Sequence, residues 1–358
     1  MTRPIRASID LSALEHNLRV ARRATRSRLM SVVKADGYGH GLMRTAGALA
    51  ATDGFALLDI RDAVLLREAG YRQTILLLEG CFGEDDLALV AEYELTCVVH
   101  RSGQIAILDA YPGRGSLDVW LKVNSGMNRL GFMPQEVAQA MEQLRRHRAV
   151  REITLMTHFA NADHARGIAE PFGVFNRVAG SYRVARSLAN SAALLRYPET
   201  HGDWVRPGIM LYGASPFAPG AGEQFSARDL GLKPAMTLSS RIIAVQELQA
   251  GDEVGYGALF RAERAMRIGI VACGYADGYP RHAPNGTPIL VEGQRTTTLG
   301  RVSMDLLYVD LSALPRADVG SRVVLWGEGM PIDDVACAAG TVSYELMCAL
   351  TTRVPVVV

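Results

Sequence analysis

Several features typical of other protein classes are missing from this sequence. No apolar run approaches the roughly 20 residues that a membrane-spanning helix needs, and residues 1–10 lack the apolar segment of a secretory signal. The five cysteines are scattered and form no C-x-x-C pair, which argues against a disulfide framework or a zinc site. We therefore expect a cytoplasmic protein with reduced thiols and no membrane association.

An excess of one charge is also absent, because 38 lysines and arginines face 37 aspartates and glutamates, for a formal net charge of +1. Neither a nucleic-acid surface nor an anionic-membrane surface is indicated. What is present is a chain of 358 residues, 49% apolar and 21% charged, which suits a globular enzyme long enough for two domains.

From about residue 28 to residue 213, short β-rich runs alternate with helix-like segments. The predicted strands are 29–34, 54–58, 74–79, 96–100, 117–123, 153–158, 187–191 and 206–212, and amphipathic segments between them include 60–69, 83–93, 134–147 and 172–186. Eight such alternations predict a (β/α)8 barrel, an α/β fold of the TIM type, with its active site at the C-terminal ends of the strands. A doubly wound open sheet uses the same alternation and is the alternative.

After residue 213 the pattern changes. A proline- and glycine-rich connector, 216–222, leads to closely spaced strands predicted at 236–247, 267–273, 288–291, 306–311 and 323–327, with helices at 332–339 and 343–349. Residues 5–10 predict an extra strand, followed by a helix toward residue 25 that a capping box of Ser12 and Glu15 opens. The predicted domains are a barrel over 10–225 and a mostly β domain from 1–9 and 232–358.

Lys34 ends the first predicted strand, directly before a glycine-rich loop that contains Tyr38. A lysine is unfavourable there unless its amine has a task, and a lysine that forms a Schiff base with an aldehyde cofactor fits this position. The alternative is a lysine whose stem packs on the strand before an ordinary turn. The glycine spacing of the loop matches neither a Walker loop nor a dinucleotide-binding fingerprint, so nucleotide binding is disfavoured.

The last two predicted strands carry candidate anion ligands. Arg206 and Gly208 lie at the start of the eighth, and Ser191 ends the seventh. Barrel loops in this region commonly bind phosphate through backbone amides. A surface ion pair between Arg206 and Asp203 is the alternative, which the following apolar segment disfavours.

Lys122 lies on a predicted strand that is apolar on both faces, so the side chain should be buried. A buried, unpaired ammonium is costly. A carbamate formed with carbon dioxide would make Lys122 an anion able to hold Arg129. The alternative is an ordinary ion pair with Asp118.

Two further patterns are weak by themselves. His158, Asp163 and His164 suggest a metal site, but no further carboxylate or cysteine follows at fixed spacing, so no metal is expected. Tyr256 lies between two glycines and is either a packed hairpin tyrosine or a general base. A tyrosine ordinarily titrates near pH 10, so a base role requires cationic or hydrogen-bonding neighbours.

Taken in order, these segments resemble the pyridoxal-phosphate-dependent, barrel-type family of bacterial alanine racemases along essentially the whole chain. The resemblance is carried by residues 34–41 (KADGYGHG), 128–131 (NRLG), 206–208 (RPG), 255–257 (GYG) and 300–305 (GRVSMD). It implies interconversion of L- and D-alanine in a head-to-tail homodimer whose two sites each draw on both chains. Lys34 would carry the cofactor and act as one base, with Tyr256 of the partner subunit as the base on the opposite face.

The resemblance also implies the remaining contacts. The phosphate would be held by Tyr38, Ser191, Gly208, Ile209 and Tyr344. Arg206 would hydrogen-bond the pyridine nitrogen, with His158 in support. Arg129 and the amide of the partner's Met304 would receive the substrate carboxylate, Tyr275 would narrow the entrance, and Lys122 and Asp305 would have supporting roles.

Two other functions are compatible with parts of this pattern. A pyridoxal-phosphate decarboxylase on the same barrel would carry a carboxylate at the ring nitrogen and lack the glycine-flanked Tyr256. A carrier that binds the cofactor without turnover would keep Lys34 but be a single domain. For a racemase, supply of D-alanine to the cell wall and breakdown of D-alanine are both compatible with the sequence.

Overall fold

Eight short parallel strands close into a barrel in the first part of the chain. The computed structural model describes residues 3–109, 111, 113, 117–218 and 226–358, so the predicted connector lies partly outside the described residues. The barrel strands are Arg28–Val32, Gly54–Leu57, Thr74–Leu77, Thr96–Val99, Leu117–Lys122, Val150–Met156, Ala185–Ser187 and Trp204–Val205. The last strand pairs with the first, which confirms the predicted barrel and rules out an open sheet.

Helices surround the barrel because the strands are buried on both faces and need cover. They are Leu42–Ala48, Ile60–Glu68, Glu84–Glu92, Ser102–Asp109, Val137–Arg146, Ala169–Ala179 and Ser191–Arg196. The N-terminal helix Leu11–Ala24 packs against the first and last of these and fills the gap between them. The predicted capping box is wrong: Asp10 caps this helix by accepting the N–H of Ala13 at 3.1 Å, and Ser12 Oγ donates to the same carboxylate.

The eighth strand is shorter and earlier than predicted. Only Trp204–Val205 pairs, and Ile209–Tyr212 forms a 3-10 turn where the sequence predicted strand 206–212. Pro207 explains the difference, because it has no N–H to donate to a neighbouring strand. An apolar run indicates that a segment is buried, but a buried turn produces the same pattern as a buried strand.

The predicted positions of the seventh strand and of the helix before it are also wrong. The strand is Ala185–Ser187 where 187–191 was predicted, and the helix Ala169–Ala179 ends before the predicted limit of 186. The side chain of Asn190 caps a new helix by accepting the backbone N–H three residues later at 3.0 Å. Ser191 therefore begins a helix and does not end a strand.

The second part of the chain is mostly β, as predicted. Its strands are Met236–Leu248, Glu253–Val254, Phe260–Arg261, Met266–Val271, Pro288–Val291, Gln294–Leu299, Leu307–Asp310, Arg322–Trp326 and Val356–Val357, with helices Ile332–Ala339 and Ser343–Cys348 and short 3-10 turns at Tyr256–Ala258 and Tyr275–Asp277. A further 3-10 turn, Pro198–Thr200, belongs to the barrel. The long strand Met236–Leu248 pairs with strands on both sides and so closes the antiparallel sheet on itself. Strand Gln294–Leu299 was not predicted because its sequence is largely polar.

The two chain ends join this β sheet. Strand Arg6–Ile9 pairs antiparallel with Met236–Leu248 and parallel with Val356–Val357. One cluster of buried side chains continues from the barrel into the β domain. All five cysteines are free thiols, three of them buried, and no helix in the described ranges is long and apolar enough to cross a membrane.

Candidate active site

A left-handed turn places Lys34 at the C-terminal mouth of the barrel. The first strand ends at Val32, and Ala35, Asp36, Gly37 and Tyr38 all have φ between 52° and 59°. Asp36 Oδ1 accepts the N–H of Leu42 at 2.6 Å and ties the turn to the next helix. Lys34 therefore follows the strand by two residues and lies at the start of a hydrogen-bonded turn, where the sequence predicted a strand end.

A cavity of about 680 Å³ lies at this mouth. Ten of the predicted site residues line it: Lys34, Tyr38, Lys122, Arg129, His158, Ser191, Arg206, Gly208, Ile209 and Tyr344. Most come from the ends of barrel strands, as the fold dictates. Tyr344 comes from the second helix of the β domain.

Four cationic side chains converge on the cavity, and Lys122 is the one held least favourably. It is 7% exposed and has no hydrogen-bonding or ionic partner among the residues that the structure describes. Burial, then the charges of Arg206 and Arg129, lower the pKa of Lys122 to about 8. Asp118, the suggested partner, instead pairs with Arg151 at 2.7 and 2.9 Å, so that alternative is wrong.

Lys34 shares this environment. Burial and the charge of Arg129 lower its pKa, and the carboxylate of Glu79 partly offsets them. An amine with a lowered pKa is more often neutral at physiological pH and is then a nucleophile or a base. The surrounding positive charge suits a ligand that carries several negative groups.

Arg206 is buried in a cage of acceptors. Its guanidinium donates to Ser187 Oγ and to the Thr157 carbonyl, both at 2.6 Å, and lies 3.5 Å from Nδ1 of His158. Burial lowers its pKa to about 10, so it stays protonated near neutral pH. Asp203 does not pair with it, and the surface ion-pair alternative is wrong.

His158 is neutral in this setting. Burial, and next the charge of Arg206, lower its pKa well below the ordinary value. Since an arginine can only donate, Nδ1 of His158 is the acceptor in their contact. Among the described residues no group of three histidines, cysteines or carboxylates is placed to hold a metal ion.

The side of the cavity near the seventh and eighth strands has hydroxyl and backbone groups that could hold an anion. The N–H of Gly208 lies 2.8 Å from Ser191 Oγ. A Cβ on Gly208 would come within 2.7 Å of the Tyr38 hydroxyl oxygen, so only glycine leaves this space open. Burial raises the pKa of Tyr38 and of Tyr344, which keeps both hydroxyls protonated as donors.

Four predicted residues of the β domain do not line this cavity: Tyr256, Tyr275, Met304 and Asp305. Tyr256 is 73% exposed, on a turn flanked by two glycines with φ of 71° and 75°. Met304 is 52% exposed and Tyr275 is 37% exposed. Within one chain these large side chains face solvent.

Other cavity residues were not predicted as site residues, notably Glu79, Phe82 and His100. His100 Nε2 lies 3.1 Å from the Glu79 carbonyl, which holds two neighbouring strand ends together. The sequence contains a signal for Glu79, which is a carboxylate at the end of an apolar run, the position that Lys34 also occupies.

A closed parallel barrel with a lysine and a group of hydroxyl side chains at its mouth, followed by a β domain, is typical of a barrel enzyme whose site contains a lysine. Comparison with known families makes this specific. Residues 9–216 match the model of the alanine racemase N-terminal domain, and residues 235–358 match that of the C-terminal domain.

Individual relatives agree with the family models. The chain is 60% identical to the alanine racemase of Nitrosospira multiformis over 99% of both chains, and 56% identical to the catabolic alanine racemase of Klebsiella aerogenes over 100% and 99%. The crystal structure of the biosynthetic alanine racemase from Pseudomonas aeruginosa superposes with a TM-score of 0.95 at 47% identity, covering 99% of each chain.

The chain therefore belongs to the alanine racemase family. It is an isomerase that interconverts L- and D-alanine, and the decarboxylase and carrier alternatives are not favoured. The family depends on pyridoxal phosphate. Its named members include both a catabolic and a biosynthetic enzyme, so the same reaction serves opposite metabolic directions among these relatives.

Proposed function

We propose that the barrel cavity holds pyridoxal 5'-phosphate on Lys34, and that Tyr256 and Met304 of the partner subunit complete each site of a homodimer. The observation that carries this proposal is the division of the site residues within one chain. The predicted cofactor residues line one cavity, whereas Tyr256 and Met304 are exposed and absent from it. Two copies arranged head to tail would place each exposed set over the other's barrel.

The cavity has the donors that the phosphate requires. Ser191 Oγ, the backbone at Gly208 and Ile209, and the hydroxyls of Tyr38 and Tyr344 surround the space that glycine leaves open. Three oxygens of a phosphate suit such a set of hydroxyl and amide donors. The stacked rings of Tyr38 and Tyr212, 4.4 Å apart, fix the first hydroxyl in place.

Pyridoxal phosphate supplies an aldehyde carbon for amino groups and a conjugated ring that accepts electron density from the substrate Cα. Arg206 would donate a hydrogen bond toward the ring nitrogen and would retain its own proton, because a guanidinium is a far weaker acid than a pyridinium. By keeping its proton, Arg206 would leave the ring a weaker acceptor of electron density, which would favour return of the proton to Cα over side reactions.

Racemisation requires a proton to leave Cα on one face and return on the other. A single base cannot easily serve both faces without moving. We assign one face to the amine of Lys34 and the other to the hydroxyl of Tyr256 of the partner subunit. Arg206 and His158 are the polar neighbours that would support this tyrosine as a base.

The substrate carboxylate is assigned to Arg129 and to the amide of the partner's Met304. Arg129 is exposed at the cavity mouth and has no ionic partner among the described residues. A carbamate on Lys122 would supply an anion that orients Arg129 and would remove a buried, unpaired ammonium. Tyr275 of the partner subunit would narrow the entrance.

Mixing two inactive variants tests the shared site. A dimer of one Lys34→Ala chain and one Tyr256→Phe chain contains one barrel with Lys34 that faces an intact tyrosine, so one native site should return. A dimer of Lys34→Ala with Arg206→Gln is the matched control: both changes lie in the barrel, so each site is damaged and activity stays absent. If the first mixture stays inactive although subunit exchange is demonstrated, the shared-site model is wrong.

A further inference from the structure

Two loops of the β domain that carry Tyr275 and Met304 are bound to each other. The N–H of Tyr275 donates to the Ser303 carbonyl and the N–H of Ala276 donates to the Met304 carbonyl, both at 3.0 Å. A Cβ on Gly274 would lie 2.3 Å from the Met304 carbonyl oxygen, so the contact tolerates only glycine. The two loops therefore form one rigid unit.

A single buried carboxylate lies beneath this unit. The side chain of Asp277 is 0% exposed and accepts hydrogen bonds from Arg3 at 2.7 and 3.1 Å, from Nε of Arg353 at 2.9 Å and from the N–H of Gly274 at 2.9 Å. Four donors saturate both oxygens. A carboxylate held in this way has one orientation.

The same two arginines also hold the second loop. Arg3 donates to the Asp305 carbonyl at 2.8 Å, and Arg353 donates to the Asp305 carboxylate at 2.5 Å. Each arginine thus bridges Asp277 in the first loop and Asp305 in the second. One arginine comes from near the start of the chain and the other from near its end.

We propose that Asp277, with Arg3 and Arg353, is a positioning residue for the substrate carboxylate in the partner's active site. This role depends on the shared site proposed above, because Asp277 acts through the loop that presents the Met304 amide. A buried ion cluster is weak evidence for stability, since apolar residues of similar size often stabilise as well. Fixing two loops in one geometry is what a charged cluster with directional hydrogen bonds does better than apolar packing.

Asp277→Asn keeps the size of the side chain but removes its charge, so Arg3 and Arg353 lose the buried carboxylate that they share. We expect kcat/KM for alanine to fall by about 10- to 100-fold, because small displacements of a substrate-holding group have effects of this size. The loss should lie mainly in KM, and the dissociation constant of propionate, measured by calorimetry on the holoenzyme, should rise with it. The absorbance of the bound cofactor and the dimer mass should stay unchanged, since the cofactor lies in the other chain's barrel.

Asp334→Asn is the matched control. It removes a carboxylate that pairs with Arg295 at 2.9 Å on the exposed surface of the same domain. It should leave KM and propionate binding unchanged. Arg3→Ala and Arg353→Ala provide milder variants if Asp277→Asn does not fold, because both arginine side chains are more than one-third exposed. Each should raise KM, and the increase in the double variant should not exceed the increase in Asp277→Asn.

Heterodimers purified through two different affinity tags decide where Asp277 acts. When one chain carries Lys34→Ala and Asp277→Asn together and its partner is unmodified, the barrel that keeps Lys34 (the live barrel) is completed by the altered loops. KM should then rise. When Lys34→Ala and Asp277→Asn lie on different chains, the live barrel receives unmodified loops, and KM should be that of the parent enzyme.

Tyr256→Phe is tested in the same two arrangements as a reference. If Tyr256→Phe acts only across the interface while Asp277→Asn affects both arrangements equally, the positioning role is wrong and the shared site stands. If Tyr256→Phe acts within its own chain, the shared site is wrong and the positioning role fails with it. Equal KM in Asp277→Asn and the parent homodimer also overturns the role.

Discussion

Lys122 allows a quantitative test of how the cavity's charge affects folding. Its pKa of about 8, against the ordinary 10.5, corresponds to roughly 3 kcal/mol against the folded state whenever the amine is protonated in both states. The sign follows from proton binding: between pH 8 and 10.5 the unfolded chain holds a proton that the folded chain has lost, so stability rises with pH in that window.

Lys122→Met should therefore stabilise the cofactor-free protein by about 3 kcal/mol at pH 7, since methionine keeps the length of the side chain without its charge. Above pH 10.5 the difference should disappear. The measurement is urea unfolding at fixed protein concentration, in buffers free of carbon dioxide. Lys233→Met, at an exposed position, is the matched control and should show no such pH-dependent difference.

Two results would refute this reasoning. Equal stability of Lys122→Met and the parent at pH 7 would mean that Lys122 is not held as an unpaired ammonium. If the free energy of unfolding changed with pH equally in the parent and in Lys122→Met between pH 8 and 10.5, the proton lost on folding would not be that of Lys122. Added bicarbonate should stabilise the parent but not Lys122→Met if a carbamate forms.

Three further outcomes are expected. Lys34→Ala should abolish both racemisation and the absorbance of protein-bound cofactor, and a borohydride-reducible adduct that persists would contradict its role. Gly208→Ala should weaken cofactor affinity about tenfold, because overpacking against the Tyr38 hydroxyl costs about 1–3 kcal/mol; Gly47→Ala, whose Cβ would only reach the Tyr71 hydroxyl at 3.7 Å, should not. Tyr256→Ala should slow solvent-proton exchange of L-alanine more than of D-alanine, and equal slowing with the cofactor bound would reject the two-base assignment.

The barrel was predictable because strands buried on both faces read as short apolar runs at regular intervals. The same rule failed at residues 206–212, where an apolar run is buried in a 3-10 turn after Pro207. Local spacing also could not place Ser191, because the capping side chain of Asn190 starts a helix one residue earlier.

The sequence predicts site residues where they lie in ordered motifs. Lys34, Arg206 and Tyr38 are such residues, and the structure places them around one cavity. Asp277 is not, because an aspartate in a turn carries no signal by itself. Its proposed role follows from its contacts with Arg3, 274 positions away in sequence, and with Arg353 near the other end of the chain.

The left-handed turn after Lys34 has a consequence for how this enzyme can evolve. Ala35 and Asp36 occupy a backbone region that disfavours side chains by about 1–2 kcal/mol per residue, although glycine would fit there without strain. The protein thus gives up stability at the residue next to Lys34, the proposed cofactor lysine. A glycine in place of Ala35 would relieve that strain but would increase the conformational freedom of the backbone beside Lys34. Selection for heat resistance and selection for turnover should therefore pull this position in opposite directions.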